Sequence, residues 1–274
     1  MNDVKIGACD WALPGAGLNA ARIAADFGLE ALSLKIGLYE NDYPISHGRM
    51  QRYYLDDQQR YGIDYCAIAL NDFDNIPIYA EKGSPDFQRV RTLFDRGVRT
   101  AAALHIPVIQ VPCFAASELK TESHFERASE GLRYLCGEAG ERGITVAGEN
   151  LLNPSEFEKL LHMVDKENFR AYYDSQNYHL FRGYDQLEIL KGLYPHMTGQ
   201  LHVKDGRGAM SGALLGTGGS NFHGTMRTLK EHGFKGYILL ENYYDQLPLR
   251  LESDDPYSLL AMDIDTLRQA LGDG

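Results

Sequence analysis

Cysteine is scarce in this chain. The four among 274 residues, Cys9, Cys66, Cys113 and Cys136, form no C-x-x-C pair. Neither a thiolate metal knot nor a disulfide scaffold is therefore expected, and reduced, mostly buried thiols are. Positive charge is also short: 27 Lys and Arg stand against 38 Asp and Glu, a formal net charge of −11. That balance argues against the basic stripe of a nucleic-acid surface and fits a small-molecule partner. No run approaches the ~18 apolar residues of a membrane span. Met1-Asn-Asp-Val-Lys5 has no apolar core of a signal peptide. No membrane partner and a cytoplasmic location are expected. Low-complexity linkers and short repeats are missing as well.

What is present is alternation. With 44 % apolar residues the chain can bury a core, and short apolar runs take turns with longer helical patterns. Strands are expected at Val4–Cys9, Ala31–Ile36, Ile63–Leu70 and Pro107–Val111, and then in the runs ending at Glu149, Asp174, His202-Val203 and Glu241. Helices are expected at Leu18–Phe27, His47–Arg60, Asp86–Leu104, Glu122–Arg142, Asn153 to about Asp165, Tyr184–Leu193, Phe222–His232 and Asp255–Leu271. Ser84-Pro85 suits a cap and first helical position, and Gly28, Gly62 and Gly143 stop helices.

Alternating β and α implies parallel strands. Eight units of about 30 residues imply a single-domain (β/α)8 TIM barrel over residues 1–274. An open doubly wound sheet is the rival. It would carry a glycine fingerprint after the first strand, where this chain reads Cys9-Asp-Trp-Ala-Leu-Pro-Gly-Ala-Gly17.

The stretch richest in chemistry is Thr198-Gly-Gln-Leu-His-Val-Lys-Asp-Gly-Arg207. Leu201 and Val203 alternate with Gln200, His202 and Lys204, which reads as a strand with one apolar face. It ends in a loop bearing Asp205 and Arg207. Three other segments end the same way, apolar first and carboxylate last: Gly143-Ile-Thr-Val-Ala-Gly-Glu149, Phe169-Arg-Ala-Tyr-Tyr-Asp174 and Gly236-Tyr-Ile-Leu-Leu-Glu241. Barrel active sites lie at the C-terminal ends of the strands. Glu149, Asp174, His202 and Glu241 all fall there, on consecutive units. Three carboxylates and one imidazole are an oxygen-rich set that suits one divalent ion. Mn²⁺ is the first expectation, with Mg²⁺, Co²⁺ or Zn²⁺ also admitted.

These motifs resemble the xylose isomerase-like sugar isomerase/epimerase family of TIM barrels, which includes ketose 3-epimerases, hydroxypyruvate isomerases and inosose dehydratases. The resemblance rests on Gly143–Asn150, Tyr173-Asp174-Ser-Gln-Asn177, Leu201-His202-Val-Lys204-Asp205, Leu215-Gly-Thr-Gly218 and Gly233–Glu241, in family order. It implies that Glu149, Asp174, His202 and Glu241 hold the metal. It also implies that Glu149 and Glu241 act as acid–base partners across a bound sugar or sugar phosphate, through a metal-stabilised cis-enediolate. Return of the proton to the same carbon is epimerisation, and to the neighbouring carbon aldose–ketose isomerisation. Loss of hydroxide instead is dehydration, the reaction of an inosose dehydratase. A sugar-binding barrel without turnover is a further alternative. An endonuclease IV-like nuclease would want a His-rich zinc cluster and a basic surface, which this chain lacks. Ketose 3-epimerases usually carry a His three residues after the metal Asp, where Asn177 stands here.

Substrate contacts are expected from Arg207, Lys204 and Asn177, with Lys204 alternatively an internal ion-pair partner. Trp11 and Phe114, with Tyr178, are candidates for an apolar wall against a sugar's carbon face. Leu215-Gly-Thr-Gly-Gly-Ser-Asn221 reads as a turn and helix cap in preference to a phosphate cradle. The oligomeric state, with a homo-oligomer admitted, is left open.

Overall fold

The computed structural model describes residues 3–272. Eight strands, β1 (Val4–Cys9), β2 (Ala31–Lys35), β3 (Asp64–Ala69), β4 (Val108–Pro112), β5 (Thr145–Glu149), β6 (Phe169–Asp174), β7 (Met197–Val203) and β8 (Gly236–Leu240), close into a barrel in sequence order. The helices are α1 (Ala20–Asp26), α2 (Gly48–Tyr61), α3 (Pro85–Ala103), α4 (Glu122–Gly140), α5 (Pro154–Val164), α6 (Asn177–Arg182), α7 (Gln186–Leu193), α8 (Phe222–Glu231) and α9 (Pro256–Leu271). Every pairing with a resolved register is parallel, as a βα alternation requires.

By its contacts the chain divides into two compact units. One gathers the described residues up to Ser33, Tyr61–Asp64 and those from Tyr173 onward. In it β1 pairs with β2 and with β8, and β7 with β8. Gly7 lies where strands crowd: a Cβ there would sit 2.4 Å from the Ala31 carbonyl oxygen and 2.6 Å from Leu239 Cδ2. The other unit, Leu34–Arg60 and Tyr65–Tyr172, pairs β3 with β4, β4 with β5, and β5 with β6. Ala67, Val108, Ala147 and Tyr172, one from each of β3 to β6, form a buried cluster there. Full burial of an apolar side chain of Val or Leu size contributes about 1.5–3 kcal/mol. Strands such as Val108-Ile-Gln-Val-Pro112 are therefore apolar almost throughout, the pattern of a sheet covered on both faces.

The helices follow from their caps and stripes. Ser84 Oγ accepts from the Phe87 amide at 3.1 Å, and Pro85 takes the first turn of α3. The buried side of α3, Val90, Leu93, Phe94, Gly97, Val98 and Ala101, has helical spacing. Asn153 and Glu156 cap α5 reciprocally. The expected first helix from Leu18 is in part a tighter 3-10 turn, Gly17–Asn19, before α1. Helix α6 was not expected. Its origin lies in the site.

Candidate metal centre

From Gln200 onward strand β7 is buried on both faces: Gln200, Leu201, His202 and Val203 are enclosed, and so is Lys204 just past its end. The polar face of the expected alternation thus looks into enclosed space rather than water. Buried polar groups of this kind need partners, and His202 and Lys204 have charged ones. His202 Nδ1 lies 3.2 Å from Glu241 Oε2, and its Nε2 lies 3.3 Å from Cys9 Sγ, at the end of β1. Lys204 Nζ lies 2.6 Å from Glu241 Oε2 and 3.1 Å from Asp174 Oδ2. Glu241 Oε1 accepts from the Trp11 indole at 3.0 Å. Burial pushes the Glu241 carboxyl up, but the opposite charges of His202 and Lys204 outweigh it and hold the group well below the usual carboxylate range.

Asp174 ends β6. Its Oδ1 accepts from the backbone amides of Gln176 at 2.8 Å and Asn177 at 2.7 Å. The carboxylate therefore starts α6, which explains a helix that the polar stretch after Asp174 does not announce. Ser175 braces the neighbouring strand: its hydroxyl donates to the Lys204 carbonyl at 2.9 Å and accepts from the Lys204 amide at 3.0 Å.

Glu149 is the last residue of β5, buried and opposite Pro112 of β4 in the strand register. The Gln110 amide donates to its Oε2. A lone Gln inside Val-Ile-Gln-Val-Pro is the sequence signal that this partner left.

The structure brings donor atoms of Glu149, Asp174, His202 and Glu241 within 4.8 Å of one another, all four residues buried. Cys9, His202 and Glu241 form a second such group. Three carboxylates and an imidazole so close make a set with the chemistry and spacing for one hard or borderline divalent ion. The thiol of Cys9, behind the imidazole, stands where an outer partner would orient a ligating histidine.

Asp205 fills the place suggested for a bound anion. Its Oδ1 accepts from Gly206 N at 2.8 Å, Ser220 N at 3.0 Å and Ser220 Oγ at 2.7 Å, and its Oδ2 accepts from Gly216 N and Gly218 N, both at 3.0 Å. The glycine loop is wrapped around an internal carboxylate: a Cβ on Gly218 would lie 2.2 Å from Asp205 Oδ1. Asn221, expected as a cap, has left-handed backbone (φ 56°) and makes no side-chain cap bond to α8. Behind this loop Asn242 accepts from the Asp205 amide at 3.2 Å and donates to Asp263 Oδ2 at 2.7 Å. Asp263, on α9, also accepts from Tyr244 and from the Leu215 amide. Burial pushes its carboxyl up to about 6.

The expected substrate residues separate. Trp11 is half-buried against Glu241, its ring edge-on to His202 at 5.9 Å. Phe114 is half-buried after β4. Asn177 is buried at the start of α6. Arg207 is exposed, and its Nε donates to the Thr217 carbonyl at 2.9 Å. Tyr178 is buried and stacked on Tyr173, centroids 5.9 Å apart, so it serves packing.

The sequence matches the xylose isomerase-like TIM barrel family over residues 21–269. The chain belongs to that family. Within it, the chain is similar to the 2-epi-5-epi-valiolone 7-phosphate 2-epimerase of Actinoplanes sp., 28 % identical over 257 residues that cover 91 % of this chain and 92 % of that one. It is also similar to the inosose dehydratase of Bacillus anthracis, 30 % identical over 103 residues, 36 % of this chain and 34 % of the other. The crystal structure of IolI protein with a bound zinc atom shares the fold, with a TM-score of 0.75, 16 % identity and 98 % of each chain covered. The family match and the epimerase relative thus support a sugar isomerase/epimerase enzyme at the level of the family, while the IolI structure shows the fold alone. No helix among the described residues is long and apolar enough to cross a membrane.

Proposed function

We propose that this chain is a divalent-metal-dependent epimerase or isomerase of a small keto sugar or sugar phosphate, with Glu149 and Glu241 as its proton-transfer pair. The observation that carries the reading is the convergence of four buried donors, Glu149, Asp174, His202 and Glu241, within 4.8 Å. Those four would hold the ion. When bound, a divalent ion supplies Lewis-acid polarisation of the substrate carbonyl and so acidifies the neighbouring C–H. Manganese is the ion that this donor set suits first, with zinc supported by the neighbour's bound atom.

The chain's own groups supply the rest. One carboxylate of the pair takes the carbon-bound proton and the other returns a proton to the opposite face, which inverts the carbon. Gln110 orients Glu149 through its amide, and Trp11 orients Glu241 through its indole. The enclosure of His202, Lys204 and Glu241 keeps bulk water from the reacting carbon. The 28 % likeness across 91 % of the chain to an epimerase supports epimerisation over aldose–ketose exchange. That relative is named for a 7-phosphate substrate, which favours a phosphorylated ligand. The glycine loop does not offer that phosphate its amides, because Asp205 already takes those of Gly216, Gly218 and Ser220.

A second reading, dehydration of an inosose, is favoured by the 103-residue likeness to a dehydratase. One experiment separates the readings. The metal-loaded protein is incubated with a panel of ketoses, ketose phosphates and inososes in D₂O. Epimerisation gives deuterium at the inverted carbon beside the carbonyl. A dehydratase gives an unsaturated product absorbing in the ultraviolet. Binding without either would reduce the chain to a sugar-binding barrel and overturn the proposal.

A further inference from the structure

We infer that Lys204 is a built-in monocation that shares the metal's carboxylates and so sets how tightly the centre holds a divalent ion. The inference rests on the metal reading above and names what controls occupancy. Lys204 Nζ lies 2.6 Å from Glu241 Oε2 and 3.1 Å from Asp174 Oδ2, and its side chain is 3 % exposed. Both oxygens belong to residues of the four-donor set. His202 Nδ1 sits 3.2 Å from that same Glu241 oxygen.

The ammonium is held where it is. The Lys204 backbone is clamped by Ser175, whose hydroxyl bonds both its amide and its carbonyl, and Ser220 Oγ lies 3.3 Å from that carbonyl. The next residue, Asp205, is fixed by the glycine loop. A buried stem between such anchors cannot swing its charge into water.

Charge counting then gives the consequence. With His202 a neutral imidazole, as a metal ligand must be, Glu149, Asp174 and Glu241 carry three negative charges, and Lys204 cancels one. A single divalent ion brings the cluster to neutrality. Without Lys204 the same carboxylates would attract the ion more strongly, and the filled site would keep a net negative charge. That charge would oppose the anion forming on the substrate as its proton leaves. Lys204 thus lowers metal affinity and leaves a filled site that tolerates a negatively charged intermediate.

The test is a calorimetric titration of the chelator-stripped full chain with MnCl₂, comparing wild type, Lys204→Met and Lys204→Arg. Removing a like charge a few ångströms from the ion tightens binding at least about tenfold even with water-like screening. Lys204→Met should therefore bind Mn²⁺ at least about tenfold more tightly than wild type, and Lys204→Arg, which keeps the charge, should stay close to wild type. Should metal-free Lys204→Met not fold, it is refolded with Mn²⁺ and the release of Mn²⁺ to excess chelator is timed. Slower release than wild type supports the inference. Equal or weaker Mn²⁺ binding by Lys204→Met, or the same change in Lys204→Arg, overturns it. A wild-type chain that binds no Mn²⁺ overturns the metal reading itself, a result distinct from either.

Discussion

Asp205→Ala is the perturbation whose cost can be worked most directly from the structure. The carboxylate accepts five hydrogen bonds, from Gly206, Gly216, Gly218 and twice from Ser220. The Gly216 and Gly218 amides are partly exposed and can turn to water. The Ser220 hydroxyl can turn to the Lys204 carbonyl. The Gly206 and Ser220 amides are buried and would be stranded. Each stranded buried donor costs about 1–3 kcal/mol. With the loss of packing, Asp205→Ala should cost about 3–5 kcal/mol. For a domain of this size that corresponds to a fall in Tm of roughly 10 °C. Asp205→Asn keeps one acceptor oxygen and should lose about half as much. Calorimetric melting gives the magnitude, and amide hydrogen exchange gives its location: the amides of residues 216–220 should exchange much faster while those of β4 and β5 are unchanged. An alanine variant that melts with wild type and keeps slow exchange in that loop would refute the view that Asp205 organises it.

Glu149→Gln and Glu241→Gln should each fold and each lower turnover by at least about a hundredfold, measured as deuterium incorporation from D₂O. Asp263 has its carboxyl raised to about 6 by burial, against 3.8 when exposed. A carboxyl raised in the folded state lends stability that is complete below the unfolded value and is lost as pH rises through about 6. The gap corresponds to about 3 kcal/mol, so the stability of Asp263→Asn, followed by urea unfolding, should fall less than wild type between pH 4 and pH 7. Gly7→Ala would press a Cβ within 2.4 Å of the Ala31 carbonyl. It should cost about 1–3 kcal/mol, read as a lower urea midpoint at unchanged slope.

The barrel was legible because its signal repeats. Four apolar runs close on Glu149, Asp174, His202-Val203 and Glu241, and the structure gathers the donor atoms of those residues. What pairs behind them was harder to read. Gln110 and Cys9 act through strand register, which no local pattern encodes. Helix α6 has no clear local signal because its first amides are capped by Asp174, a residue whose type also fits a metal ligand. The glycine loop has the composition of a turn and cap, but its amides converge on Asp205, while Asn221 makes no cap. Arg207 followed the Lys-Asp-Gly run in sequence, yet the same loop turns it outward to Thr217. Lys204 fitted two roles by pattern, and the structure shows it in ion pairs with Asp174 and Glu241.

The central claim is that one divalent ion sits among Glu149, Asp174, His202 and Glu241. Crystals soaked in MnCl₂ and measured at the manganese absorption edge test it most directly. The account predicts a single strong anomalous peak bonded to all four side chains. A peak elsewhere, or none at an Mn²⁺ concentration that saturates binding in solution, would contradict it.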